Sequence, residues 1–574
     1  MFDKETLDKS VEALAKWSEE YKRISTKFAN PPVNAVTPKT NSDIPIRNCY
    51  FPHDIEDIDF TDIGAPGSYP FTRGNLATQY QFMGWANQPV IGYGLPEHTR
   101  ERMDLLASEG MIGYFGSYFY NLVYDLVSHE GIDPDHPGAK GRVGQCGMAV
   151  YSVEDMARLF EGMDLSKINV VHITSYQVIP VLAQYIAYAR TQGIDASELR
   201  GNTMNWYHKS AFDGMSCFPP DQGLKLAVEL VAFCSKNMPR WNTTNFFGYE
   251  IEEAGGSAVQ EIGFVLAAAV SLTKACIKAG LSADVFLKRF GFQFSQANDF
   301  FEQIAKIRAF RKIWARTMHE RFGASDHHAL QARIHTHTSG AVLTAQQPLV
   351  NLIRTSIHAL GAVLSGTQAM EVSAYDEALA IPTLDAATLS LRVQQVIEEE
   401  TNVTAVSDPL AGSWYVESLT DQLAKQALAL VKEIESMGGY IEAELNGWIR
   451  AEIETSAAKW RDGVDTGNIK VVGLNSHVSQ DEDRSDTFAV PAETEQIAKE
   501  RMAKLKETRD KERFEKAMER FSIAAKQFST KALESLGDNQ LMEAAIDAAS
   551  AYATTGEMMS VLKEACGWGP PHRK

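Results

Sequence analysis

The chain has 574 residues, with 55 Lys and Arg against 74 Asp and Glu, for a formal charge of −19. That balance argues against a nucleic-acid partner, which a basic domain or stripe would mark, and a composition of 44% hydrophobic and 22% charged residues excludes global disorder. The most apolar run, 263–280, is interrupted by Lys274 and reads as a buried helix, so no membrane is expected; with no signal-peptide block, the expected location is cytoplasmic.

Residues 1–45 read as an N-terminal helical arm: the charged amphipathic run MFDKETLDKSVEALAKWSEEYKR, then the Pro/Asn/Thr-rich NPPVNAVTPKTNSDIP. From about 168 to 401 short strand patterns alternate with long helical ones. INVVHITS precedes VIPVLAQYIAYARTQG, RGNTMN precedes GLKLAVELVAFCSKNM, and TNFFGYE precedes SAVQEIGFVLAAAVSLTKACIKAG. FGFQFSQ, QARIHTHTSG and AMEVSAYDEAL each precede a further helical run. These six β-α units, with room for two more between 90 and 160, predict an α/β protein whose residues 46–430 form a (β/α)8 TIM barrel. After about 463 the chain turns polar (NSHVSQDEDRSDTF). AETEQIAKERMAKLKETRDKERFEKAMERF then reads as one highly charged helix, so 431–574 is expected to be a linker and a separate helical region.

No G-x-G-x-x-G or G-x-x-x-x-G-K-[ST] occurs, which favours the barrel over a doubly wound sheet. Chemistry then belongs at the strand C-terminal ends, which carry Asn205, Tyr249-Glu250, His335 with His337, and Tyr375-Asp376-Glu377. HTHTSG puts His335 and His337 on one strand face; that spacing fits a metal pair or a metal-free polar lining, and no third ligand is evident. The carboxylates of YEIEEAG and YDEAL fit paired acid-base work, hydroxyl recognition or helix capping equally well. DPDHPG (133–138) reads as a turn. Six cysteines (Cys49, Cys146, Cys217, Cys234, Cys276, Cys566) form no C-x-x-C pair and read as reduced, buried thiols.

Several ordered blocks carry a resemblance: YPFTRG (69–74), SHEGIDPDHPG (128–138), FFGYEIEEAGGS (246–257), AKIRAFRKIWA (305–315), HTHTSG (335–340), GTQAMEVSAYDEALAIPT (366–383), DPLAGSWYVE (408–417) and ATTGEM (553–558). Over roughly 40–570 the chain resembles the methylmalonyl-CoA mutase family, as the large catalytic subunit of a split adenosylcobalamin-dependent acyl-CoA mutase. The resemblance implies a barrel threaded by CoA, homolysis of a cobalt–carbon bond, hydrogen abstraction and 1,2-migration of a group. The family's cobalt-ligating D-x-H-x-x-G is not found. No B12-binding Rossmann-like domain is therefore expected in this chain, and a hetero-oligomer with a separate small cobalamin-binding subunit, which ligates the cobalt, is.

Residue by residue, the resemblance places His129 against the corrin, and Glu253, Glu377 and Ala378 near the adenosine. It places Thr78, Gln88, Val90, Met204, Asn205, Asp213, Arg308 and Gln368 on the substrate side, with Glu250, His335 and His337 as the catalytic groups. The substrate side departs from the family pattern. Where the family reads R-P-W-T-x-R-Q-Y-A-G-F, this chain has MGWANQPVIGY (83–93): two CoA-holding arginines become Met83 and Gln88, and a substrate-wedging tyrosine becomes Val90. The family's thioester-donating histidine is Glu250, its H-x-Q is His335-x-His337, and no arginine stands near Asp213, where a carboxylate clamp is expected. Arg308 and Arg311 remain as phosphate contacts. The expected activity is thus radical rearrangement of an unusual acyl-CoA rather than methylmalonyl-CoA. A non-CoA substrate and a non-catalytic scaffold subunit are the alternatives.

Overall fold

The computed structural model describes residues 2–27, 39–113, 117–207, 214–479 and 487–570. Among these residues ten short strands, numbered in chain order, lie in two all-parallel sheets. One contains β1 (Ala86–Asn87), β10 (Ala369–Glu371), β9 (Arg333–Thr338), β8 (Phe290–Gln296) and β7 (Thr244–Phe247). The other contains β2 (Val90–Ile91), β3 (Phe119–Val123), β4 (Asn169–Ile173), β5 (Arg200–Thr203) and β6 (Trp241–Asn242). The sheets meet along two interrupted strands. Gln88 and Pro89 part β1 from β2, and proline brings no ladder donor. The Gln88 N–H donates to the Met370 carbonyl at 2.9 Å in one sheet, while its carbonyl accepts from Asn121 Nδ2 at 3.2 Å in the other. Thr243 does the same between β6 and β7, its N–H donating to the Arg289 carbonyl at 3.1 Å and its carbonyl accepting from Thr203 Oγ1 at 3.4 Å. Eight parallel strand positions alternating with helices make the expected (β/α)8 barrel.

Period-two alternation sorts the strand side chains. In β8, Phe292 and Phe294 pack outward on Phe310 and Trp314 of the helix Phe300–Phe322, with ring centroids 4.6–4.7 Å apart. Gly291, Gln293 and Ser295 therefore face the lumen. In β10, Met370 joins Trp85, Ala359 and Val363 outside, which turns Glu371 inward. The helix Ala258–Lys278 is long and apolar enough to cross a membrane, yet 83% of its apolar window is buried inside the fold.

The tail differs from its sequence reading. The charged run is two helices, Thr494–Thr508 and Lys511–Thr530, because Asp510 accepts from Arg513 N at 3.0 Å and caps the second. Nor is it a body of its own: Phe521, Phe528, Met542, Ile546 and Leu562 share one buried cluster with Tyr185 and Val228 of the barrel layer. The helix Trp414–Ser436 runs across residue 430. Among the thiols, Cys146 is exposed and Cys49 half-buried, against the expectation of burial; the other four are buried.

Candidate active site

The strand C-terminal ends gather a compact set of ionisable groups. The short helix Tyr249–Glu253 follows β7 and carries Glu250 in its first turn and Glu253 at its end. Glu253 Oε1 accepts from Ser339 Oγ at 2.5 Å and Oε2 from the Ala341 N–H at 2.8 Å, which ties the helix to the loop after β9. Glu377 comes to the same loop from the β10 side. A Cβ on Gly340 would stand 2.5 Å from Glu377 Oε1 and 3.4 Å from Glu253 Oε2, so a side chain there would push the Glu377 carboxyl from its present position beside Glu253. Burial raises both to about 7. Beside them, the Tyr249 ring stacks on His337 with centroids 4.1 Å apart and planes at 7°. His335 lies one step down the lumen, both ring nitrogens without a hydrogen bond, and burial lowers it to about 3. Both imidazoles are therefore neutral.

His129 ends the short helix Leu126–His129 after β3, its Nε2 3.3 Å from the Ile173 carbonyl at the end of β4. Two anchors from the far end of the chain hold this loop. Lys563 Nζ donates to the Glu130 and Gly131 carbonyls at 2.6 and 3.0 Å. Asp133, in the stretch read as a turn, accepts from Thr554 Oγ1 at 2.6 Å and Gly556 N at 2.8 Å.

The expected substrate residues divide between the two ends of the barrel. Val90 and Met204 stand near the carboxyl mouth, on an apolar wall with Phe119, Val123, Val171, Ile173 and Phe247. Gln88 lies between the sheets. Gln368 and Thr78 are at the opposite, N-terminal end: Gln368 Oε1 accepts from the Ile334 N–H at 2.9 Å and from Asn75 Nδ2 at 3.1 Å, and Thr78 is exposed in the adjoining loop. The six residues of β9 separate these ends by roughly 20 Å.

Two expectations are corrected. Arg308 is 1% exposed and bonded to Asp408 and to Glu417, the latter at 2.6 Å, so its guanidinium is spent on a structural ion pair rather than a phosphate. Arg311 is likewise buried, donating to the Phe71 and Thr72 carbonyls at 2.9 and 3.0 Å. Asn205 turns away from the lumen: its Nδ2 donates to the Ala227 carbonyl at 3.0 Å on the helix Pro220–Asn237. Asp213 lies outside the described residues, and Ala378 is exposed at the rim. Among the described residues no group of three ligating side chains stands together around His335 and His337 or elsewhere.

Sequence reasoning passed over Glu371, Ser339, Gly340 and Ser373. Glu371 has a legible signal, a carboxylate inside a short apolar strand pattern, AMEVS. It is 6% exposed, and its Oε1 accepts from the Val90 N–H at 2.7 Å.

Acids, a tyrosine and neutral imidazoles at the carboxyl end of a parallel barrel define a barrel enzyme with a polar mouth above an apolar wall. The family described as methylmalonyl-CoA mutase matches residues 39–568, and the chain belongs to it. The methylmalonyl-CoA mutase of Cereibacter sphaeroides is 36% identical over 538 residues, covering 93% of this chain and 73% of that protein. The 2-hydroxyisobutanoyl-CoA mutase large subunit of Aquincola tertiaricarbonis is 34% identical over 526 residues, 91% of each. The chain is thus an isomerase of the adenosylcobalamin-dependent mutase family. Its mouth suits an adenosyl group: Gly340 opens a cradle in which two carboxyls, acceptors when ionised, point at one space.

Proposed function

We propose that the chain is the large subunit of a carbon-skeleton mutase acting on an acyl-CoA thioester other than methylmalonyl-CoA. In this reading a separate small subunit brings the cobalamin and ligates its cobalt. The carrying observation is the wall below the mouth: Val90, Met204 and their apolar neighbours stand there, and among the described residues no arginine or lysine is bonded to Glu253, Glu371 or Glu377. A substrate carboxylate would find no bidentate cationic partner in such surroundings. The spread of the expected contacts over both barrel ends suits a long thioester, and the relative from Aquincola, itself named a large subunit, supports the division into subunits.

Glu253 and Glu377 hold the ribose by accepting from its hydroxyls, and His129 faces the corrin. The apolar wall excludes water from the reacting carbons. When bound, adenosylcobalamin supplies a radical by cleavage of its cobalt–carbon bond. His335 and His337, both neutral, orient the acyl end without adding charge.

The test is thermal stabilisation of this chain by CoA, its esters and the matching free acids. A ligand at 100 times its dissociation constant stabilises by about 2.7 kcal/mol, so CoA and its esters are expected to raise the melting temperature while the acids do not. No shift with any CoA species moves the assignment to a radical mutase of a non-CoA substrate, the reading that the engagement of Arg308 and Arg311 favours. Val90→Tyr is expected to lower kcat/KM on the best ester roughly ten- to hundredfold by overfilling the wall. Unchanged preference across the acyl panel would put Val90 outside the pocket.

A further inference from the structure

We propose that Glu371 and His337 form a hydroxyl-recognition site in the lumen, selecting an acyl-CoA thioester that bears a hydroxyl on its acyl chain over its alkyl, carboxyl or amino counterparts. This rests on the acyl-CoA reading above and names the substrate class within it.

The two residues sit directly opposite in register, and Glu371 Oε2 lies 3.5 Å from His337 Nδ1. That separation is too long for a strong direct bond, and neither atom has a hydrogen-bond partner among the described residues. Their protonation follows from their neighbours. Ser373 Oγ has one proton and gives it to the Thr338 carbonyl at 2.8 Å, so its 3.2 Å contact with His337 Nε2 is assigned as an N–H donating to the hydroxyl oxygen. The Nε2–H tautomer leaves Nδ1 as a bare lone pair turned toward Glu371. Glu371 meets the Val90 N–H through Oε1 at 2.7 Å, and burial, together with the neighbouring acid Glu377, drives its carboxyl well above the usual carboxylate range, which favours the protonated form.

An acid O–H donor and an imidazole acceptor thus stand side by side on the lumen face, both buried. A hydroxyl is the group that answers both, accepting from one and donating to the other. An alkyl chain leaves both unsatisfied, and a carboxylate brings only acceptors and a charge to a site with a lone pair and, among the described residues, no cation bonded to Glu371 or His337. The apolar wall of Val90, Val123, Ile173 and Met204 beside it takes the hydrocarbon part of the same acyl chain.

The experiment measures dissociation constants of CoA, butyryl-CoA, 3-hydroxybutyryl-CoA, 2-hydroxyisobutyryl-CoA, succinyl-CoA and 3-aminobutyryl-CoA for the full chain and its Glu371→Leu and Glu371→Gln variants. The expected result is that one hydroxyacyl ester binds the wild-type chain about tenfold or more tightly than butyryl-CoA. Glu371→Leu is expected to erase that margin while CoA and butyryl-CoA still bind; Glu371→Gln, whose amide is an uncharged donor, retains most of it. Should the leucine variant not fold, Glu371→Asp, which withdraws the acid by one methylene, carries the same expected loss. Equal binding of hydroxyacyl and alkyl esters, a margin that survives in the leucine or aspartate variant, or tightest binding by the carboxyl or amino ester overturns the proposal. Failure of CoA and every ester to bind the folded wild-type chain overturns the acyl-CoA reading itself.

Discussion

Glu377→Ala is expected to lower adenosylcobalamin-dependent turnover about ten- to hundredfold, with the proposed cobalamin-bearing subunit supplied, while the melting temperature barely moves. Hydrogen bonds to an ionised group contribute roughly 1.5–3 kcal/mol, and each 1.36 kcal/mol is about tenfold in rate. Stability is spared because the carboxyl is one whose burial already disfavours its charge. The same acid gives a pH signature. Glu253 and Glu377 both sit at about 7 and must be ionised to accept from two hydroxyls, so affinity for the adenosyl group rises from pH 6 to pH 8, by up to about tenfold per unit for each carboxyl. The ligand-free chain moves the other way. A carboxyl whose folded value is raised binds its proton more tightly when folded, so its contribution is greatest below the ordinary carboxylate range and is lost as pH rises through 7. Unchanged turnover in the alanine variant would undo the ribose assignment, and a flat binding profile would remove the acceptor role.

Arg308→Met is expected to cost about 3–5 kcal/mol of stability, because it strands two carboxylates in the interior. Asp408 keeps a partial partner in Arg73 Nε at 3.2 Å, and Glu417 keeps the Gly412 N–H at 3.0 Å, but neither replaces a guanidinium between them. The substitution is read in the midpoint of urea unfolding and, separately, in the KM for the best CoA ester. A large drop in midpoint with KM unchanged fits the ion pair. A variant of normal stability with weakened CoA binding would return Arg308 to the phosphates.

The contrast between these two residues shows what the sequence disclosed. The barrel was legible because its strands are short polar–apolar alternations set between long helical runs, and the carboxylates of YEIEEAG and YDEAL because they fall at strand ends; a role for Glu253 and Glu377 beside an adenosyl group came only with the family resemblance. Nothing in the order of residues says that Asp408 and Glu417 reach back about a hundred positions to Arg308, so a free guanidinium and a neutralised one read alike. Asn205 failed for a related reason: two residues past the end of β5 the alternation no longer dictates the face, and Ala227 on the neighbouring helix captures its amide. The charged run after 492 read as one helix because helix propensity extends across Arg509 and Asp510; the cap that divides it is a local choice that Asp510 wins. Glu371 was visible in AMEVS, but its meaning depends on Val90, His337 and Ser373, which arrive from other strands.

The anchors on the loop after β3 have a consequence for the order in which the molecule is completed. Lys563, Thr554 and Gly556 leave the ribosome hundreds of residues after His129. Until they arrive, the Glu130 and Gly131 carbonyls and the Asp133 carboxylate lack these partners. A nascent chain can pair its strands well before that point, yet the loop that carries His129 is fastened only after residues 554–563 have been made, so this edge of the mouth is completed later than the strands that frame it.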